Sequence, residues 1–83
     1  MDDLNQRLGQ LISAKRIEAG LSQEQLAEAA GLHWTYVSGI ERGKRNPSVA
    51  VLVRLGAALG TTGSALLSKA ELHGDWRGTD RSS

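Results

Sequence analysis

The stretch "QEQLAEAAGLHWTYVSGIER", residues 23–42, decides the fold. It contains two helix-length segments with a single glycine between them. Leu26, Ala27 and Ala30 recur at helical spacing in the first, and Val37 and Ile40 do so in the second. Two helices that cross sharply within so few residues need a small residue where they touch, and Ala27 supplies it. The turn needs a residue tolerant of left-handed backbone, and Gly31 supplies that. Leu26, Ala30, Leu32, Val37 and Ile40 then point to a common core. Together these positions make a helix-turn-helix. Ser22 caps the first of the two helices, and Gln25 completes a capping box three residues later. The second helix covers about 33–41 and is ended by Gly43.

Working outward, a helix is expected from Leu4 to Ala19, with Leu4, Leu8, Leu11, Ile12 and Ile17 as its apolar stripe and Gly20 at its C-terminus. "GKRNPS", residues 43–48, reads as a loop in which Gly43, Asn46 and Pro47 are turn residues. Ser48 caps a fourth helix carrying Val49, Leu52, Val53, Leu55 and Leu59, closed by Gly60. Thr62 caps a fifth with Leu66 and Leu67. Nothing alternates with period two for long enough to form a sheet. The expectation is an all-α, five-helix domain over 1–71. A loose polar tail is expected over 72–83, where "HGDWRGTDRSS" follows Leu72.

The chain has 83 residues, enough for one small domain with one core. Cysteine is absent, so neither a disulfide framework nor a thiolate metal site is available. "MDDLNQRLGQ" at the N-terminus is not a signal peptide, and no apolar run is long enough to span a membrane. These features fit the cytoplasm. Formal net charge is only +1, which argues against a binder that coats nucleic acid indiscriminately. The charge is sorted, however. Residues 33–54 hold four cations (Arg42, Lys44, Arg45, Arg54) and one acid (Glu41), whereas residues 18–30 hold three acids and no cation. His33, His73 and Asp75 form no metal or acid–base pattern of recognisable spacing, and no glycine loop cradles a phosphate. An enzyme and a cofactor are therefore not expected.

At this point "LSQEQLAEAAGL", "TYVSGIERGKRNPS" and "LGAALG" resemble the Cro/C1-type (Xre-type) DNA-binding domain of phage repressors and bacterial regulators. The resemblance covers about Leu4 to Leu67. "TYVSGIERGKRN" is especially similar to the small controller proteins of restriction–modification systems, and it also occurs in general regulators of the family. The resemblance implies a five-helix lambda-repressor-like fold, a two-fold dimer and a palindromic operator. It also implies an ion pair between Arg16 and Glu41 that ties the recognition helix to the first helix. Gly63 departs from the pattern, standing where an apolar residue is usual, which is expected to weaken the start of the fifth helix.

The second helix of the pair should enter the major groove, which is wide enough to admit it. With Val37 and Ile40 inward, His33, Trp34, Thr35 and Ser38 are expected on or near the outer face, where Thr35 and Ser38 can bond to base edges. Trp34 either lies against a thymine methyl or the sugar–phosphate wall, or packs sideways onto the first or second helix. Gly39 is expected on the groove side of Ile40, either to allow close approach to DNA or to relieve crowding against another helix. Phosphate positioning is a separate task, expected of Gln23 at a helix N-terminus, the Tyr36 hydroxyl, Arg42, Lys44, Arg45 and Asn46. One recognition helix gives too little base contact for useful specificity, so a homodimer is expected, with Leu67, Leu72 and Trp76 at its seam. No small-molecule effector domain is evident. The competing reading is a protein-interaction module or antitoxin, in which Trp34 and Trp76 anchor a partner.

Overall fold

The computed structural model describes residues 3–72. Among these are five helices and no strand: α1 (Asp3–Glu18), α2 (Gln23–Ala30), α3 (Trp34–Glu41), α4 (Val49–Ala58) and α5 (Gly63–Leu72). Trp76 and residues 73–83 lie outside the described residues, and so does the side chain of Leu72.

The local signals of the sequence set the helix starts. Ser22 Oγ accepts from the Gln25 N–H at 3.0 Å while Gln25 Oε1 accepts from the Ser22 N–H at 2.8 Å, a complete capping box. Ser48 Oγ accepts from Val51 N–H, and Thr62 Oγ1 from Ala65 N–H. α3 begins one residue later than the sequence suggests, because His33 is its N-cap rather than its first turn. The helix ends share one device. At Gly20, Gly31, Gly43 and Gly60 the glycine N–H bonds back three residues and the next N–H bonds back five. Gly31, at φ 71°, is the one that reverses the chain between α2 and α3.

The core is built from Leu8 and Ile12 of α1, Leu26, Ala27 and Ala30 of α2, Val37 and Ile40 of α3, Leu52 and Leu55 of α4, and Leu66 and Ala70 of α5. Ala27, 2% exposed, is the small residue at the α2–α3 crossing. Two apolar stripes are narrower than expected. Ile17 is 64% exposed, because five residues on from Ile12 the helix has turned well off the line of Leu8 and Ile12. Val49 and Val53 are also exposed, at 80% and 55%; Val53 is turned more than a quarter turn from Leu52 and away from Leu55.

Gly63 requires a correction. It is buried, and a Cβ there would lie 3.0 Å from the backbone of Leu52 and of Val53. A Cβ on Gly56 would in turn lie 2.5 Å from the Thr62 carbonyl carbon and 2.6 Å from Gly63 N. α4 and α5 are bent 102° from one another, and this glycine pair lets their backbones meet at the corner. Gly63 thus serves close packing, and Thr62 restores the helix start. No single helix among the described residues is long and apolar enough to cross a membrane.

Candidate nucleic-acid interface

The recognition helix α3 is held by a polar junction of three helices. Arg16, in the last turn of α1, donates from Nε to Glu41 Oε2 at 2.8 Å and from Nη2 to Glu41 Oε1 at 3.1 Å. Its Nη1 donates to the Leu21 carbonyl at 2.8 Å, just before α2. Gln23, at the start of α2, donates from Nε2 to Glu41 Oε1 at 3.0 Å. The Glu41 side chain is only 5% exposed and that of Arg16 14%. A bidentate arginine satisfies a buried carboxylate in a fixed plane, so this junction sets where the end of α3 sits relative to α1 and α2. The hydrogen bond to Glu41 raises the Arg16 pKa further above the ordinary arginine value; burial opposes this, and the Glu41 charge adds to it. A raised cationic pKa contributes stability that is present below the ordinary arginine pKa and is lost only as pH rises through the folded value. The arginine's own titration therefore leaves stability flat through neutral and mildly alkaline pH.

Gln23 was expected to meet a phosphate with its side chain. One N–H of its amide is instead committed to Glu41, which leaves the second amide N–H and the backbone N–H groups of the α2 N-terminus for that purpose.

A second close approach, at Gly9, was not read from the sequence. A Cβ there would strike the Ile40 carbonyl oxygen and come within 2.8 Å of the Glu41 carbonyl oxygen. The α1 backbone therefore rests directly on the C-terminal end of α3. The available signal was a glycine in mid-helix, which lowers helix propensity by about 1 kcal/mol and so calls for a packing reason.

The exposed end of α3 carries His33, Trp34 and Thr35. Trp34 is 46% exposed and lies outside the core cluster. His33 Nδ1 accepts the Thr35 backbone N–H at 3.3 Å and lies 2.9 Å from Thr35 Oγ1. In the tautomer that carries the ring proton on Nε2, Nδ1 is the acceptor and the Thr35 hydroxyl donates to it. The lone pairs of Thr35 are then left for outside donors.

Ser38 and Gly39 correct the expected face. Both are buried, Ser38 at 9% exposure. At roughly 3.6 residues per turn they lie well away from Val37 and Ile40, so their cover is not the core. Arg42, one turn on, donates from Nη1 to Ser38 Oγ at 2.6 Å. Arg45 folds back from the loop so that a Cβ on Gly39 would lie 2.6 Å from its Cγ. The Arg45 guanidinium carbon sits 5.3 Å from the centroid of the Tyr36 ring. Two cations thus roof the middle of α3, and the crowding at Gly39 comes from Arg45 rather than from another helix. Arg42, Lys44, Arg45 and Asn46 are exposed in a row behind the helix.

An exposed, hydroxyl-bearing helix end backed by cations and braced by a buried junction defines a helix-turn-helix nucleic-acid binder. A family model described as helix-turn-helix matches residues 12–66, and the chain belongs to that family. Control protein C.SmaI of Serratia marcescens is 40% identical over 67 residues, covering 81% of this chain and 80% of that protein. Control protein C.MunI of Mycoplasma sp is 43% identical over 72 residues, covering 86% and 97%. The crystal structure of the restriction-modification controller protein C.AhdI from Aeromonas hydrophila superposes with a TM-score of 0.72 at 40% identity, covering 75% of this chain and 94% of that one. The chain is a DNA-binding regulator of transcription and not an enzyme.

Proposed function

We propose that the protein binds a palindromic operator as a homodimer, with α3 of each copy in the major groove, and controls a restriction–modification operon. The observation that carries this reading is the exposed Trp34–Thr35 end of α3, followed by the exposed cations Arg42, Lys44 and Arg45. His33, Trp34 and Thr35 face base edges, with the indole against a thymine methyl or the sugar wall. Arg42, Lys44, Arg45, Asn46, Tyr36 and the α2 N-terminus at Gln23 grip the flanking phosphates. Ser38 acts at one remove, by directing Arg42. Similarity to the named control proteins supports the operon assignment.

Selection of bound duplexes from a random pool tests the reading. Thr35→Ala should change the selected motif, whereas Arg45→Ala should weaken all sequences alike. With about four phosphates neutralised per subunit, the dimer's log–log salt slope should be about −7, and Arg45→Ala should reduce its magnitude by about 2. A protein-only module would show no steep salt dependence on duplex or heparin, and that result rejects the proposal.

In this proposal Leu67 of α5 lies at the dimer seam, and the exposed Val49 and Val53 of α4 add apolar surface. Val49 is the more exposed of the two, and Val53 is just over half exposed. Val53→Glu should leave the helical content intact while shifting sedimentation to the monomer and weakening operator binding at least tenfold. A stable dimer in that variant removes α4 from the seam.

A further inference from the structure

The geometry points to Gly39 as the seat of Arg45: it is a positioning residue that lets the arginine fold back across α3 and hold its guanidinium over Tyr36, aimed at the duplex. This rests on the DNA reading above and assigns Gly39 a role distinct from contact with DNA. Three observations converge on it. The Gly39 carbonyl accepts both the Lys44 N–H at 2.9 Å and the Arg45 N–H at 3.2 Å, so the loop closes directly on this residue. The Arg45 stem occupies the space a side chain at 39 would need, with Cγ at 2.6 Å and Cβ and Cδ at 3.6 Å from an ideal Cβ. The guanidinium then lies 5.3 Å from the Tyr36 ring centroid, and Tyr36 is one turn before Gly39 on the same helix.

A long cationic side chain in a solvent-exposed loop ordinarily loses rotamer freedom when it grips a phosphate. Here the seat and the ring remove that freedom beforehand, so less is lost on binding. The glycine disfavours the helix, yet it sits in the middle of a helix of only 8 residues. Its position is explained by what it lets the arginine do.

The test is a double-mutant cycle on the full chain with a random-sequence duplex, whose affinity is dominated by phosphate contacts. Gly39→Ala should weaken binding about tenfold, close to the loss in Arg45→Ala. The double variant should be no weaker than Arg45→Ala alone. Thermal stability of Gly39→Ala should be equal or higher, since alanine favours the helix. Equal further loss from Gly39→Ala in the Arg45→Ala background means the methyl obstructs DNA itself, and overturns the inference while leaving the DNA reading intact. Absence of salt-dependent duplex binding by the unaltered protein rejects the DNA reading instead. The seat is then judged without DNA, by proton NMR. Arg45 δ-protons should be shifted upfield by the Tyr36 ring, and the shift should vanish in Gly39→Ala and in Tyr36→Ala. No upfield shift in the unaltered protein overturns the seat.

Discussion

Gly9→Ala lowers the melting temperature by about 10–20 °C, taking a loss of about 2–3 kcal/mol at about 4–8 °C per kcal/mol for a domain of this size. Alanine normally stabilises a helix interior by about 1 kcal/mol over glycine. Here the added methyl meets the carbonyl oxygens of Ile40 and Glu41, which are main-chain atoms with no rotamer to move to. α1 must withdraw from α3, and the Arg16–Glu41 bonds at the same junction lengthen with it. DNA binding should weaken beyond the fraction unfolded, because the recognition helix loses its backstop. A thermal scan decides the matter. A rise in melting temperature, the usual outcome of Gly→Ala in a helix, would mean the two helices do not touch as described.

Glu41→Ala should be comparably damaging. Removing the carboxylate leaves Arg16 short of a partner, with only 14% of its side chain exposed and only the Leu21 carbonyl to receive its protons, and it frees Gln23. Breaking a buried pair by one partner costs about 3–5 kcal/mol, and the access of Arg16 to water reduces this to about 2–3 kcal/mol. Glu41→Gln should recover part of the loss, since an amide oxygen still accepts one of the arginine bonds. Denaturation in urea separates the variants, with Glu41→Ala lowest. Full stability in Glu41→Ala would show that the junction does not hold α3.

Several elements were legible because their causes are local. The Ser22–Gln25 box, the caps Ser48 and Thr62, and the glycines ending the helices each act within a few residues, so their spacing in the chain is their spacing in space. The inward set Leu26, Ala27, Ala30, Val37 and Ile40 follows from helical period alone. Ser38 and Gly39 were placed correctly on the wheel and wrongly in exposure, since a wheel does not show that Arg42 and Arg45 return to cover them. Gln23 was read from its place at a helix start. Its amide nitrogen answers to Glu41, 18 residues away.

By itself, then, the sequence determined the five helices, the small-residue turn between α2 and α3, and the placement of hydroxyls, an indole and cations on and behind one helix. The tertiary structure alone decided which glycines mark backbone contact, at Gly9, Gly56 and Gly63, and where the cations rest. The physical reason is range. Propensity, capping and period act along a few residues of chain, whereas a steric gap or a shared carboxylate exists only once distant segments meet.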